Sequence, residues 1–358
     1  MASKDRKPNL SHAQASELVK RLYGLTHSKI RPLPSYEDQN FYVCVSEGGE
    51  YVLKVMNSGD SQNPTLLELQ NHAMNFLQKR GLPAQTAVPT KTGQLMSLEE
   101  IDCGCGLQKY MVRLLTYLPG ATIAKIPSSP NILYQVGKMA ATMDKVFQEM
   151  EHPNLRAFQR DDYNASLTSI PLLEQHLPVI DGDPVQEVVS NVIAEFKAQV
   201  IPKMSAFRKC IIHGDFHNHN ILATLDGGSS SQFKISGILD FGDMSSGYYV
   251  YELAIAIMHM MVESPSPVDV GGHVLAGYES VIPLSEAERD CLFLLVLCRF
   301  SQILVLTRRA IQQLPDNKEY LMMFMPTTGI KLLTHLWGLG QQQVEHSWFE
   351  CAKAYKHQ

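Results

Sequence analysis

The chain has 358 residues, 45% of them hydrophobic and 19% charged, with 31 basic against 36 acidic side chains and a formal charge of −5. This is the profile of a chain able to bury a sizeable core, and it excludes a disordered, collagenous or disulfide-stapled protein. It also argues against a nucleic-acid partner, which calls for a basic excess.

Residues 11 to 24 read as a short helix, capped by Ser11 and stopped near Gly24. Gln39 to Ser46 (QNFYVCVS) and Tyr51 to Met56 (YVLKVM) are rich in β-branched and aromatic residues, and the EGGE between them predicts a tight hairpin turn. Asn63-Pro64 supplies an N-cap and first-turn pair for a helix whose apolar positions Leu66, Leu69, Ala73, Phe76 and Leu77 recur at helical spacing until Gly81. Strand chemistry returns over 82 to 118, ending in YMVRLLTYL before the break at Pro119-Gly120.

Beyond that break helical patterns dominate, at 131 to 150, 184 to 208, 251 to 263, 285 to 313 and 328 to 356. Asn220 to Thr224, the loop DGGSSS and Phe233 to Phe241 interrupt them as a hairpin. The expected organisation is a β-rich lobe over 1–118 carrying +2 and a helical lobe over 119–358 carrying −7. Uninterrupted apolar runs, Cys291 to Cys298 and Leu253 to Val262, are shorter than the ~18 residues that span a bilayer, so no membrane association is expected. Seven cysteines in no disulfide-like spacing, and an N-terminus without an apolar signal segment, predict a reducing, cytoplasmic setting.

The chemistry concentrates in IIHGDFHNHNIL (211–222) and ILDFGD (238–243). An apolar strand ending in Asp-Phe-Gly offers the Asp240 carboxylate at a strand terminus, and Asn220 offers a neutral oxygen; both suit a hard metal ion. Asp215, on the loop before Asn220, can accept a proton from a hydroxyl attacking phosphorus. A triphosphate also needs protein cations, and Lys54 on the second hairpin strand can supply one, with Glu68 in the next helix as its expected counter-ion. His213, His217 and His219 lack a fourth ligand and helical spacing, so zinc is disfavoured and His213 reads as a hydrogen-bond partner of the loop. Glu252 opens an apolar helix, where the exposed N–H groups favour a carboxylate. Were the substrate an amino acid, its carboxylate would need a cation, for which Arg299, Arg308 and Arg309 are candidates.

HGDFHNHN followed by ILDFGD resembles the aminoglycoside phosphotransferase and choline kinase-like branch of the protein kinase fold, whose signature is H-G-D-x-x-x-x-N then I-x-D-F. The resemblance implies an α+β, bilobal kinase-like fold with a small β-rich N-terminal lobe and a larger, mostly helical C-terminal lobe. It implies Asp215 as catalytic base, Asn220 and Asp240 as Mg2+ ligands, and Lys54, held by Glu68, on the donor's α and β phosphates. Thr116 and Leu118 would meet the purine through backbone groups. The glycine-rich loop of protein kinases is absent, and PSYEDQN (34–40) stands in its place, with Gln39 and Asn40 as candidate phosphate contacts. His217 and Asp243 are candidates for the acceptor site. PLPSYEDQNFYV, VRLLTYLPG and GILDFGDMSSGYYVYELAIAIM are similar to the 5-hydroxylysine kinases, a family that uses GTP to phosphorylate the side-chain hydroxyl of free hydroxylysine. The expected partners are therefore a nucleotide, GTP or alternatively ATP, and a small hydroxylated amine or amino acid. Homoserine, choline, ethanolamine and aminoglycosides are the rival acceptors, and a non-catalytic nucleotide-binding scaffold is the rival from another class. Oligomeric state leaves no trace in the sequence.

Overall fold

A computed structural model describes residues 6–104, 106–160, 163–227, 232–313, 315, 318–322 and 327–356. Cys105 and most of the DGGSSS loop lie outside them. The chain divides into two compact units, Met1–Leu118 with Ala310–Leu321, and Pro119–Arg309 with Met322–Gln358.

In the first unit, α1 (His12–Leu18) starts at a capping box in which Ser11 and Gln14 satisfy each other's backbone N–H groups, and it runs on as a π turn to Gly24. β1 (His27–Leu33), β2 (Gln39–Val45) and β3 (Glu50–Val55) follow. The β2–β3 turn places Gly48 and Gly49 at φ 96° and 112°, a backbone region that glycine enters without strain. After α2 (Pro64–Lys79) come β4 (Ala87–Val88), β5 (Ser97–Asp102) and β6 (Leu107–Thr116). The strands form an antiparallel sheet in the order β1-β2-β3-β6-β4, with β5 also paired to β6. Val43, Leu53, Val55, Val112 and Leu114 bury one cluster with Leu18 and Val19 of the N-terminal helix. The sequence reading lacked β1, an edge strand with mostly exposed side chains and a proline, a composition that hides strand character.

The second unit begins with β7 (Ala121–Thr122) and α3 (Pro130–Phe147). A proline-containing 3-10 segment, Leu167–Ile180, leads to α4 (Gln186–Glu195) and α5 (Ile201–Lys203). Four short strands follow, β8 (Lys209–Ile212), β9 (Ile221–Leu225), β10 (Phe233–Ile238) and β11 (Ser245–Tyr248). β9 pairs with β10 and β7, and β8 pairs with β11. The later helices of this unit are α6 (Tyr249–Val262), α7 (Pro267–Glu279), α8 (Glu286–Gln313), α10 (Thr327–Leu339) and α11 (Gln341–Tyr355); the last residues of α8 and nearly all of α9 (Lys318–Met322) belong to the first unit. The single helix expected over 328 to 356 is two, broken at Gly340, whose φ is 79°.

α7 went unread because its sequence, PVDVGGHVLAGYE, carries three glycines, residues that count against a helix. Here they serve packing: Gly271 and Gly272 lie against Trp348 and Cys351 of α11, and Gly277 against the backbone of α3. α8 is long and apolar enough to cross a bilayer, because a helix is judged over 18 residues rather than by unbroken apolar runs. Yet 83% of that stretch is buried in the protein, which makes it a core helix.

Candidate active site

Two hairpins bring the two motifs together. β8 delivers the 213–220 loop and β11 leaves the 239–244 turn, and these strands pair with Ile212 opposite Ser245. β9 and β10, on the other sides of the same two loops, pair with Ile221 opposite Ile238. The backbone of Leu239, just before Asp240, donates to the Asn220 carbonyl at 2.8 Å. The Leu239 carbonyl in turn lies 2.9 Å from His213 Nε2. His213 Nδ1 accepts the Asp215 N–H at 3.3 Å, so Nε2 carries the proton and the imidazole is a neutral clamp between the motifs. Burial pushes its pKa down, in keeping with that role.

Gly214 sits at φ +78°, and a Cβ there would stand 2.6 Å from the Asp243 carbonyl oxygen. Its N–H donates to Glu252 Oε2 at 3.1 Å. Glu252 is thus more than a helix-start carboxylate: fully buried on α6, it anchors the loop from below. Burial raises its pKa to about 7, with the N–H groups of Gly214 and His213 opposing the shift. A carboxyl with a folded pKa above its unfolded value binds its proton more tightly in the native state, so stability falls as pH rises from about 4.5 through about 7. Glu252→Gln keeps an acceptor for Gly214 and cannot ionise. Its melting temperature should therefore hold up better than that of the wild type between pH 5 and pH 8, as thermal denaturation across that range would test.

The Asp215 carboxylate, 25% exposed, is held by both oxygens. Oδ1 meets Arg299 Nη2 at 3.1 Å; Oδ2 meets Asn220 Nδ2 and His217 Nε2, each at 3.1 Å. Because His217 Nδ1 accepts the His219 N–H at 3.0 Å, it is the Nε2 proton that His217 donates to Asp215. Burial would raise the Asp215 pKa, but His217 and Arg299 hold it well below the usual carboxylate range. At 3% exposure His217 is a support for Asp215, where the sequence placed it in the acceptor site. Asn220 donates from Nδ2 to the carbonyl and carboxylate of Asp215, and its Oδ1 takes no part in these contacts. Asp240 is exposed at φ 55°, the one non-glycine residue with positive φ among those described, and such strain recurs at functional turns.

Asp243 accepts a hydrogen bond from Tyr163 Oη. Burial, with the nearby Asp215 charge adding to it, raises its pKa to about 7. Arg160 lies over the Tyr163 ring, 3.4 Å from its centroid, and donates to the Gly242 carbonyl at 3.0 Å. Tyr163, Arg160 and Arg299 thus join the site although no motif marks them. Of the other two arginines considered for a substrate carboxylate, Arg308 faces Asp183 at 3.7 Å and Arg309 contacts His176 at 2.8 Å.

In the first unit, Lys54 is buried on β3 between Asn40 and Arg113 in register. Its ammonium meets Asp38 Oδ2 at 3.1 Å, so the counter-ion is Asp38 where Glu68 was expected. Asp38 immediately precedes β2, the neighbouring strand, and its other oxygen accepts the Asn57 N–H at 2.8 Å. Glu68 is exposed on α2, on the face away from the buried Leu66, Leu67 and Leu69. The Gln39 side chain is engaged with both backbone groups of Leu10, at 2.6 and 3.1 Å, which removes it from phosphate contact. Asn40 Oδ1 is buried without a hydrogen-bond partner among the described residues. The Thr116 N–H is taken by the Thr86 carbonyl at 2.9 Å, and its carbonyl accepts from Gln85 at 3.1 Å with a second lone pair to spare. Leu118 follows the end of β6.

Among the described residues no cluster of three His, Cys, Asp or Glu side chains is arranged to hold a metal. The oxygen donors of Asn220 and Asp240 fit a hard cation such as Mg2+, which takes few protein ligands and completes its shell with water and phosphate.

The profile of the Phosphotransferase enzyme family matches residues 29–286. The chain is 62% identical to the hydroxylysine kinase of Danio rerio over 99% of both chains. It is 49% identical to that of Mus musculus, covering 98% of this chain and 95% of the relative. Among solved structures, an amicoumacin kinase in complex with AMP-PNP, Ca2+ and Ami superposes with a TM-score of 0.67 at 14% identity, over 94% of both chains, which establishes the α+β kinase-like fold. The chain belongs to the Phosphotransferase enzyme family and is a small-molecule kinase that phosphorylates an alcohol group.

Proposed function

We propose that the chain transfers the γ-phosphoryl group of GTP to the side-chain hydroxyl of 5-hydroxy-L-lysine. The observation that carries this is the 62% identity to a hydroxylysine kinase across essentially the whole of both chains. Asp215 accepts a hydrogen bond from the acceptor hydroxyl, orients its oxygen towards the γ-phosphorus and takes its proton as the new O–P bond forms. The bond between the γ-phosphorus and the β–γ bridging oxygen breaks, and the nucleoside diphosphate leaves with that electron pair. Lys54 supplies positive charge to the donor phosphates. Asn220 and Asp240 would hold Mg2+, which when bound neutralises charge on the transferring group.

Support for Asp215 in this role is the clamp on both of its oxygens, which leaves part of the carboxylate accessible while fixing its plane. A cytoplasmic setting belongs to the same proposal and agrees with the six described cysteines all being free thiols. The test is Mg2+-dependent transfer by the purified protein, with GTP and ATP each offered against hydroxylysine, lysine, homoserine, choline and ethanolamine. Turnover with hydroxylysine and none with lysine is expected; preference for another acceptor would overturn the substrate assignment.

Asp240 permits a separate check. Because its backbone is at φ 55°, alanine there would add strain to the loss of the carboxylate, whereas glycine removes the carboxylate alone. Asp240→Gly should melt within a degree or two of the wild type and lose at least about 10²-fold in kcat, the scale of a lost group that stabilises transition-state charge. A Mg2+ titration of the variant should show a much weaker apparent affinity, and unchanged Mg2+ dependence would remove Asp240 from the metal site.

A further inference from the structure

Arg299 lies on α8, 84 residues from Asp215 and 1% exposed. Its guanidinium spans two anchors. Nη2 meets Asp215 Oδ1 at 3.1 Å, while Nη1 donates to Gln302 Oε1 at 2.8 Å and to the Ala165 carbonyl at 3.1 Å. Gln302, fully buried one turn further along α8, donates from Nε2 to the carbonyls of Asn164 and Ser166, both at 2.8 Å. The segment it grips adjoins Tyr163, whose hydroxyl holds Asp243. The mounting is therefore rigid: the arginine fork is fixed from behind by a buried amide and three consecutive carbonyls.

We propose that Arg299 is the positioning residue for Asp215, fixing the plane of its carboxylate so that the lone pair left open points at the acceptor hydroxyl; this rests on Asp215 being the group that receives that hydroxyl. The loop's own side chains, His217 and Asn220, reach only Oδ2. With one oxygen held the carboxylate can still swing about that point, and a hold on Oδ1 from a second element stops it. Of the roughly four acceptor positions a carboxylate offers, three are then filled and one remains for substrate. At 1% exposure, and with both N–H groups of Nη1 spent on Gln302 and Ala165, Arg299 offers the acceptor's own carboxylate little surface.

A residue that acts through Asp215 should change kcat and leave binding alone. Arg299→Met is expected to lower kcat by about 10²-fold, the scale of a misplaced reacting group, with both substrate KM values within about 3-fold of wild type. Arg299→Lys keeps the charge but has no fork to reach Asp215, Gln302 and Ala165 together, and should lose about 10-fold in kcat. In the Asp215→Asn background Arg299→Met should cost almost nothing further, because groups that act as a unit are non-additive. Melting curves establish that each variant is folded; should Arg299→Met fail to fold, Arg299→Lys carries the test through the same cycle. Wild-type kcat in Arg299→Lys and in any folded Arg299→Met, or full multiplication of the two losses in the double variant, would overturn the proposal. Full activity in Asp215→Asn itself would instead overturn the role given to Asp215.

Discussion

Asp215→Asn should lower kcat for phosphoryl transfer by about 10²- to 10⁴-fold, the range contributed by a positioned general base, while nucleotide binding changes little. The substitution is close to isosteric, and the site can accommodate it only in part. Asp215 now accepts from Arg299, Asn220 and His217. An amide can accept from Arg299 through Oδ1 but turns an NH2 towards two groups that also donate, so both of those contacts are lost. The expected outcome is a folded protein, with a melting temperature lowered by a few degrees, that still binds nucleotide and does not turn over. Steady-state kinetics with hydroxylysine, alongside nucleotide titration by calorimetry, would separate the two quantities. A variant with wild-type kcat would mean that another group receives the hydroxyl proton.

What the sequence made legible and what it hid divide by distance along the chain. The loop from His213 to Asn220 and the turn from Asp240 to Asp243 are each contiguous, flanked by strands whose apolar runs announce them, and the structure joins them through Leu239. Groups that reach the site from elsewhere were invisible or misplaced. Arg299 lies in the middle of an apolar core helix, where a charge carries no mark of its partner. Tyr163 and Arg160 belong to irregular backbone without periodicity. Lys54 illustrates a subtler limit. Its burial on β3 required a counter-ion, and the motif order pointed forward to Glu68, yet a strand neighbour in space can precede in sequence, as Asp38 does. Thr116 shows that an antiparallel edge can close on itself: the N–H left open by the end of β6 is taken by Thr86 of the same unit.

Gly137→Ala and Gly277→Ala should each destabilise the second unit by about 3 kcal/mol, the upper part of the usual range for overpacking. The two glycines face each other's helices reciprocally. A Cβ on Gly137 of α3 would stand 1.9 Å from the Val274 carbonyl oxygen of α7, and a Cβ on Gly277 of α7 would stand 1.9 Å from the Tyr134 carbonyl oxygen of α3. Both obstacles are backbone, which cannot rotate aside as a side chain can, so the helices must separate by more than an ångström. The separation would pull on Tyr278, the neighbour of Gly277, whose hydroxyl donates to the buried Asp144 of α3 at 2.8 Å. Losing that donor would leave a buried carboxyl without its partner, an added cost to the steric one. Gly338→Ala is the control, since Gly338 is exposed on α10 with no atom within 4 Å of the added Cβ. There the smaller backbone entropy of alanine should make the change neutral or stabilising by up to about 1 kcal/mol. Thermal melts should place Gly137→Ala and Gly277→Ala roughly 6 to 12 °C below the wild type and Gly338→Ala at or above it. If the α3–α7 contact were looser than a backbone-to-backbone crossing, all three substitutions would behave alike, because helix propensity favours alanine at each position.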